Sequence, residues 1–275
     1  MDIELTDRQK RERDYHRAFA AKHANLINAS IPYEVTTGKR WWNQGWAMFG
    51  ALVRAGVRGK KVLVVGCGFG EDALLLAHMG AEVYGFDISP ESLEIARLRA
   101  EKEGARLQLD EMTAESLSYP DCYFDVVLAH DILHHVNIPS ALEELKRVSK
   151  PDAKLVVNEV YTHSILERLR RAQIVDRFFR ARVQAVIYEG EVPYITDDER
   201  KLTERDIKQI SNAAEINRRS YFNLFVMRIL PDRWKLVSQI DYSLLRISKT
   251  MGAILAGRII LEGTISPSNS RPDEM

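Results

Sequence analysis

Cysteine is nearly absent from this sequence. Cys67 and Cys122 are the two in 275 residues, too few for a disulfide framework or a cysteine-rich zinc site, and they point to a reducing compartment without redox chemistry. Neither sign of charge is in excess: Lys+Arg and Asp+Glu both total 39, so no global field favours nucleic acid as a partner. No apolar run approaches the roughly 18 residues of a membrane span. The stretch from Met1 to Arg17 is rich in charge and lacks the apolar segment of a signal peptide. These absences lead to the expectation of a cytoplasmic protein with one α/β domain and appended segments. No internal repeat and no metal-ligand spacing stands out.

Residues 7–30 carry Ala, Phe, Leu and Ile at helical spacing, and a second helical stretch runs from Trp41 to Ala55. Residues 1–57 therefore read as a helical N-terminal cap or lid. From Lys61 the texture changes. Val62 to Val65 is a short apolar run ended by glycines, and Ala73 to Met79 is helical. Val83 to Phe86 is a second strand, and Ser89-Pro90-Glu91 opens a helix with a capping Ser and a Pro at its first position. Strand patterns recur at Arg106–Leu109, Phe124–Ala129 and Lys154–Val160, with a helix from Pro139 to Ser149. After 214 the pattern resumes with a strand near Asn217–Phe222, one or two helices to about Lys249, and a strand near Arg258–Thr264. Alternating strands and helices predict parallel pairing by right-handed crossovers. The expected domain spans 58–265, with 161–214 inserted over the carboxyl edge of the sheet and 266–275 a disordered tail.

Gly66-Cys67-Gly68-Phe69-Gly70 follows the first strand directly. Glycines there let the backbone turn sharply and bring its N–H groups against a ligand. The spacing is G-x-G-x-G. A dinucleotide turn has G-x-G-x-x-G, and here Glu71 takes the third-glycine position with Asp72 after it, an acidic pair that opposes a phosphate and suits a cationic or zwitterionic ligand. Asp87 closes the second strand, where a carboxylate accepts hydrogen bonds from ribose hydroxyls. Its alternative role is to cap the next helix, for which Ser89 is the better candidate.

Together these residues resemble the class I S-adenosylmethionine (SAM)-dependent methyltransferase family, in particular the group with small-molecule and lipid acceptors, over about 62–160. Val62 to Gly70 looks like the family's first motif, Tyr84 to Ser89 like its ribose-binding strand end, and Met112 to Glu115 like its adenine-contacting segment. Pro120 to Val127 followed by His130-Asp131-Ile132-Leu133-His134-His135-Val136 looks like its fourth strand and histidine pair. The resemblance implies a Rossmann-like, doubly wound, mostly parallel seven-stranded sheet and SAM as cofactor. It implies cofactor contacts from Gly66, Cys67, Gly68, Gly70, Asp87, Ile88, Thr113, Ala114 and the His130 backbone. The acceptor would be a small or lipid-like molecule methylated on O, N or C. Three departures from the family pattern stand out: Val64 stands in place of an acidic residue, Thr113 in place of Asp, and Asp152-Ala153 in place of a Gly pair.

His134 and His135 fall just past the fourth strand, where open α/β sheets bind ligands. A neutral imidazole there takes a proton from an attacking hydroxyl or amine. The competing role is to pack and shape the acceptor loop. Tyr15-His16, Trp41-Trp42 and Trp46 suggest a lid over the methionine end of SAM, with Phe69 packed beneath it; ordinary helix packing is the alternative. Between 164 and 183 six arginines share an amphipathic helix with an apolar face, suited to a solvated surface, an anionic acceptor or peripheral membrane contact. Tyr188, Tyr194 and Tyr221 suggest an acceptor pocket, and both cysteines read as buried spectators. A nicotinamide-dependent oxidoreductase and a noncatalytic SAM-binding subunit are the competing functions.

Overall fold

The computed structural model describes residues 5–163, 200–224 and 234–266. Its centre is a seven-stranded sheet: β1 (Lys61–Val65), β2 (Glu82–Asp87), β3 (Leu107–Glu111), β4 (Phe124–His130), β5 (Ser149–Val160), β6 (Ala214–Phe222) and β7 (Arg258–Ile265). The spatial order is β3-β2-β1-β4-β5-β7-β6. The first five strands pair in parallel, while β7 runs antiparallel between β5 and β6.

Period two explains the layers. Leu63 and Val65 of β1 enter one apolar cluster, with Val127, Leu155 and Leu261, whereas Val62 and Val64 enter the other, with Val126, Val156 and Ile260. The first cluster is covered by α5 (Ile138–Val148) and α6 (Glu204–Ala213), through Leu142, Leu145, Ile207 and Ile210. The second is covered by α2 (Gln44–Ala55), α3 (Glu71–His78) and α4 (Pro90–Lys102), through Phe49, Leu74 and Leu93. Helices on both faces make the sheet doubly wound, as expected. Val64, which replaces a carboxylate of the family pattern, is simply one of these core residues. The edge strands β3 and β6 carry exposed charges such as Glu111 and Arg218, which suits strands with one unpaired side.

Several boundaries differ from the sequence reading, each for a local reason. The first helix, α1 (Asp7–Lys22), opens with a Thr6–Gln9 capping box and stops at His23, whose Nδ1 lies 2.9 Å from the Phe19 carbonyl; Ala24–Asn28 is a short 3-10 turn. The α2 helix starts at Gln44 because the Asn43 side chain accepts from the Gly45 and Trp46 N–H groups, so Trp41 and Trp42 precede it. Strand β5 begins five residues early, at Ser149, across an irregularity in its pairing with β4. Asp152 sits there at φ 63°, in the left-handed region that favours the glycine of the family pattern.

Of the expected insertion, residues 200–214 belong to the core. Leu202 pairs with Tyr161, and Leu202, Ile207 and Ile210 lie in the first apolar cluster. The arginine-rich stretch 164–183, Tyr188 and Tyr194 lie outside the described residues, as does most of the expected tail. Between β6 and β7 stand α7 (Lys235–Ile247) and α8 (Lys249–Leu255). Among the described residues no helix is long and apolar enough to cross a membrane.

Candidate active site

The glycine turn after β1 is shaped by backbone geometry that residues with side chains rarely adopt. Gly66, Gly68 and Gly70 have φ of 61°, 49° and 77°. A Cβ on Gly70 would lie 2.9 Å from the Ala96 Cβ, so this glycine lets α4 approach closely, whereas a Cβ on Gly68 would meet nothing within 4 Å. Gly68 thus leaves a space beside the backbone for a ligand. Asp87, at the end of β2, accepts the Gly68 N–H at 2.8 Å and the Ser89 N–H at 2.9 Å. Its carboxylate ties the glycine turn to the start of α4, and Ser89 caps that helix through the Ser92 N–H. The capping and ligand-binding roles weighed for Asp87 therefore coexist.

These elements open into a cleft of about 130 Å³. Of the residues singled out from sequence, Gly66, Gly68, Asp87, Ile88, Thr113, Ala114 and His135 line it. Cys67, Gly70, His130, Tyr15 and His134 do not. Cys67 is buried in the core, and burial pushes its thiol well above the ordinary value, which leaves it inert. Gly70 acts through helix packing. His130, at the end of β4, turns its ring to Asp72, with Nδ1 2.7 Å from Oδ2. Tyr15 packs edge-on to His16 and stacks with Phe19.

The histidine pair divides. His134 is 4% exposed and its Nδ1 donates to Glu159 Oε2 at 2.7 Å. Glu159, on β5 and fully buried, also accepts from the Ile132 and Leu133 N–H groups at 2.7 and 2.6 Å. One carboxylate therefore gathers the turn that follows β4. Asp131, at φ 52°, pairs with Arg258 at 2.8 Å. Asp131, His134 and Glu159 come together as a cation site would, but each is engaged by these protein partners. His135 instead faces the cleft, its Nδ1 3.3 Å from Glu12 Oε1.

The wall opposite the glycine turn is α1, which supplies Gln9, Glu12 and His16. Sequence reading singled out Tyr15 and His16 on this helix and passed over Gln9 and Glu12. Helical geometry held the signal: 9, 12 and 16 recur at spacings of three and four, so these polar residues share one face, with Tyr15 off it. Phe19 stacks on Phe69 at 5.7 Å. Trp41, Trp42 and Trp46 stand elsewhere, because α2 packs on β5 and β7; Trp41 meets Tyr242 edge-on at 5.3 Å. Tyr221 lines a separate hollow with Tyr161 and His163. Cys122, expected to be buried, is exposed.

SAM carries a ribose, an adenine and a cationic methionine end. The cleft offers it an open glycine backbone, the Asp87 carboxylate, the Met112–Glu115 segment and acidic side chains, and these fit. Residues 63–157 match the family model described as a methyltransferase domain. The ubiquinone biosynthesis O-methyltransferase of Proteus mirabilis is 30% identical over 237 residues, covering 80% of this chain and 91% of that protein. Its namesake from Yersinia enterocolitica is 33% identical over 51% of this chain. This match and that to the Aeromonas salmonicida protein span 64% and 45% of those relatives' lengths. Among solved structures, magnesium protoporphyrin IX methyltransferase from Synechocystis PCC 6803 with bound SAH shares the fold, with a TM-score of 0.57 at 18% identity over 94% of this chain and all of that one. Motif, strand order and a relative matched along nearly its whole length agree, and the chain belongs to the class I SAM-dependent methyltransferase family.

Proposed function

We propose that this protein transfers the methyl group of SAM to an oxygen of a small or lipid-like acceptor, with nitrogen and carbon acceptors as the alternatives. The observation that carries the reading is the convergence of Gly66, Gly68, Asp87 and Thr113 on one cleft at the carboxyl edge of β1, β2 and β3. Oxygen is preferred because the curated relatives are named O-methyltransferases.

When bound, SAM supplies a methyl group on a sulfonium sulfur, already activated for displacement. Asp87 holds the ribose while the glycine turn keeps its backbone close, and Thr113 and Ala114 border the adenine. The displacement needs alignment more than activation, so a closed cleft supplies much of the rate. His135 takes the acceptor's proton as the new bond forms. It is supported in this by its place in the cleft wall, whereas His134 is buried against Glu159 and holds the loop.

Incubation of the protein and candidate hydroxyl-bearing extracts with isotopically labelled methyl-SAM, followed by mass spectrometry, tests the reading. A labelled product identifies the acceptor and its atom. Calorimetry that detects neither SAM nor S-adenosylhomocysteine binding at millimolar ligand overturns it.

A further inference from the structure

The cleft wall contains a buried carboxylate, one oxygen of which has no hydrogen-bond partner among the described residues. Glu12 on α1 is 6% exposed and lines the cleft. Its Oε1 lies 3.3 Å from His135 Nδ1, and its Oε2 is buried without a hydrogen-bond partner among the described residues. Burial alone would push this carboxyl up, but His135, His16 and Arg8 outweigh it and hold it below its ordinary value, so it is ionised near neutral pH. A buried carboxylate oxygen left unmatched is costly, a cost a ligand can remove. The rest of the wall has the same bias. Asp87, Glu115 and Asp131 line the cleft with Glu12, and among the described residues that line it there is no lysine or arginine.

We propose that Glu12 is a charge-reading residue of the donor site, whose unpartnered carboxylate oxygen favours the positively charged sulfonium of SAM over the neutral thioether of S-adenosylhomocysteine. This rests on SAM being the ligand of the cleft. In the reaction, the bond from sulfur to methyl breaks as the bond from methyl to acceptor oxygen forms. The sulfur keeps the electron pair and loses its positive charge, and the acceptor's proton leaves to His135. The attraction between Glu12 and the donor therefore ends with the chemical step, and the spent product is released from a wall that no longer holds it. Coulomb energy in a partly dry cleft is several-fold larger than in water, so a single carboxylate is enough to separate two ligands that differ by one charge.

Isothermal titration calorimetry of the full chain decides this, using SAM, S-adenosylhomocysteine and sinefungin, in which an amine-bearing carbon replaces the methylated sulfur. Glu12→Gln is expected to weaken SAM and sinefungin about tenfold and S-adenosylhomocysteine less than twofold. Glu12→Asp keeps the charge and is expected to retain most of the discrimination. Equal weakening of all three ligands in Glu12→Gln would assign Glu12 a merely structural role and overturn the proposal. So would unchanged affinities, or loss of discrimination in Glu12→Asp. Failure of the unsubstituted protein to bind any of the three would instead overturn the reading of the cleft as a SAM site.

Discussion

His130 Nδ1 lies 2.7 Å from Asp72 Oδ2, joining the end of β4 to the first turn of α3. Burial by itself lowers a histidine's pKa, but the Asp72 charge and hydrogen bond, with Asp131 nearby, outweigh it and push His130 up to about 9. The ring is an imidazolium at neutral pH. Its folded-state value exceeds the ordinary 6.5, so the stabilisation is complete below about pH 6.5 and is lost as pH rises through about 9. An NMR titration of the ring should show a midpoint near 9, falling to 6.5 or below in Asp72→Asn. A midpoint near 6.5 in the unsubstituted protein would refute the pairing.

The two histidines of the pair should respond differently. Replacing His135 by Ala should lower kcat about a hundredfold while SAM affinity and Tm barely change, because general-base assistance is worth roughly 10²–10⁴. Replacing His134 should lower Tm and raise the acceptor KM, with a modest loss of kcat. The reverse pattern would exchange their roles.

Glu159 is the anchor on which the loop after β4 depends. Its replacement by Gln leaves a neutral group to satisfy Ile132, Leu133 and His134 in a fully buried position. Urea denaturation should show a loss of about 3–5 kcal/mol, the range for breaking a buried charged contact. A loss below 1 kcal/mol would show that the loop holds itself.

Asp87→Ala should weaken SAM by roughly 1.5–3 kcal/mol, the range for hydrogen bonds to a charged group. It should also lower Tm, since the carboxylate receives both the Gly68 and Ser89 N–H groups. Asp87→Asn should be milder in both. Unchanged SAM affinity in the Ala variant would leave Asp87 as a cap alone.

Gly66 and Gly68 should separate strain from ligand access. A Cβ at Gly66 would fall 2.6 Å from Ile132 Cδ1, so Gly66→Ala should cost about 1–3 kcal/mol of stability and displace a cleft-lining residue. Gly68→Ala meets no protein atom within 4 Å, so its Tm should fall less while SAM affinity falls at least as much. Equal Tm losses with intact SAM binding would place the ligand elsewhere.

Local signals made much of this architecture legible. Val62–Val65, the glycine turn and the Ser89-Pro90 helix start each express a short-range rule, and the structure places all three as read. Part of what escaped was set by long-range contact. His134 and His135 are chemically identical in sequence, and their separation into buried and cleft-facing roles depends on Glu159, 25 residues away, and on Glu12, more than a hundred residues earlier. The helix start at Asn43 and the left-handed Asp152 were missed because one side-chain cap and one tolerated φ overrode the apolar pattern. Tyr15 was chosen for its aromatic ring, whereas the face of α1 turned to the cleft is polar.

No residue of α1 belongs to either apolar cluster. It is moored through Arg8 to the His134 carbonyl, Gln9 to Glu115 and Arg17 to Glu91, with Phe19 on Phe69. The sheet thus owes its stability to one set of residues, and the cleft owes part of its selectivity to another. Such a separation makes the helix an exchangeable part. Its inward face can drift under mutation, admitting a differently charged or shaped ligand, while the scaffold that supports it stays intact.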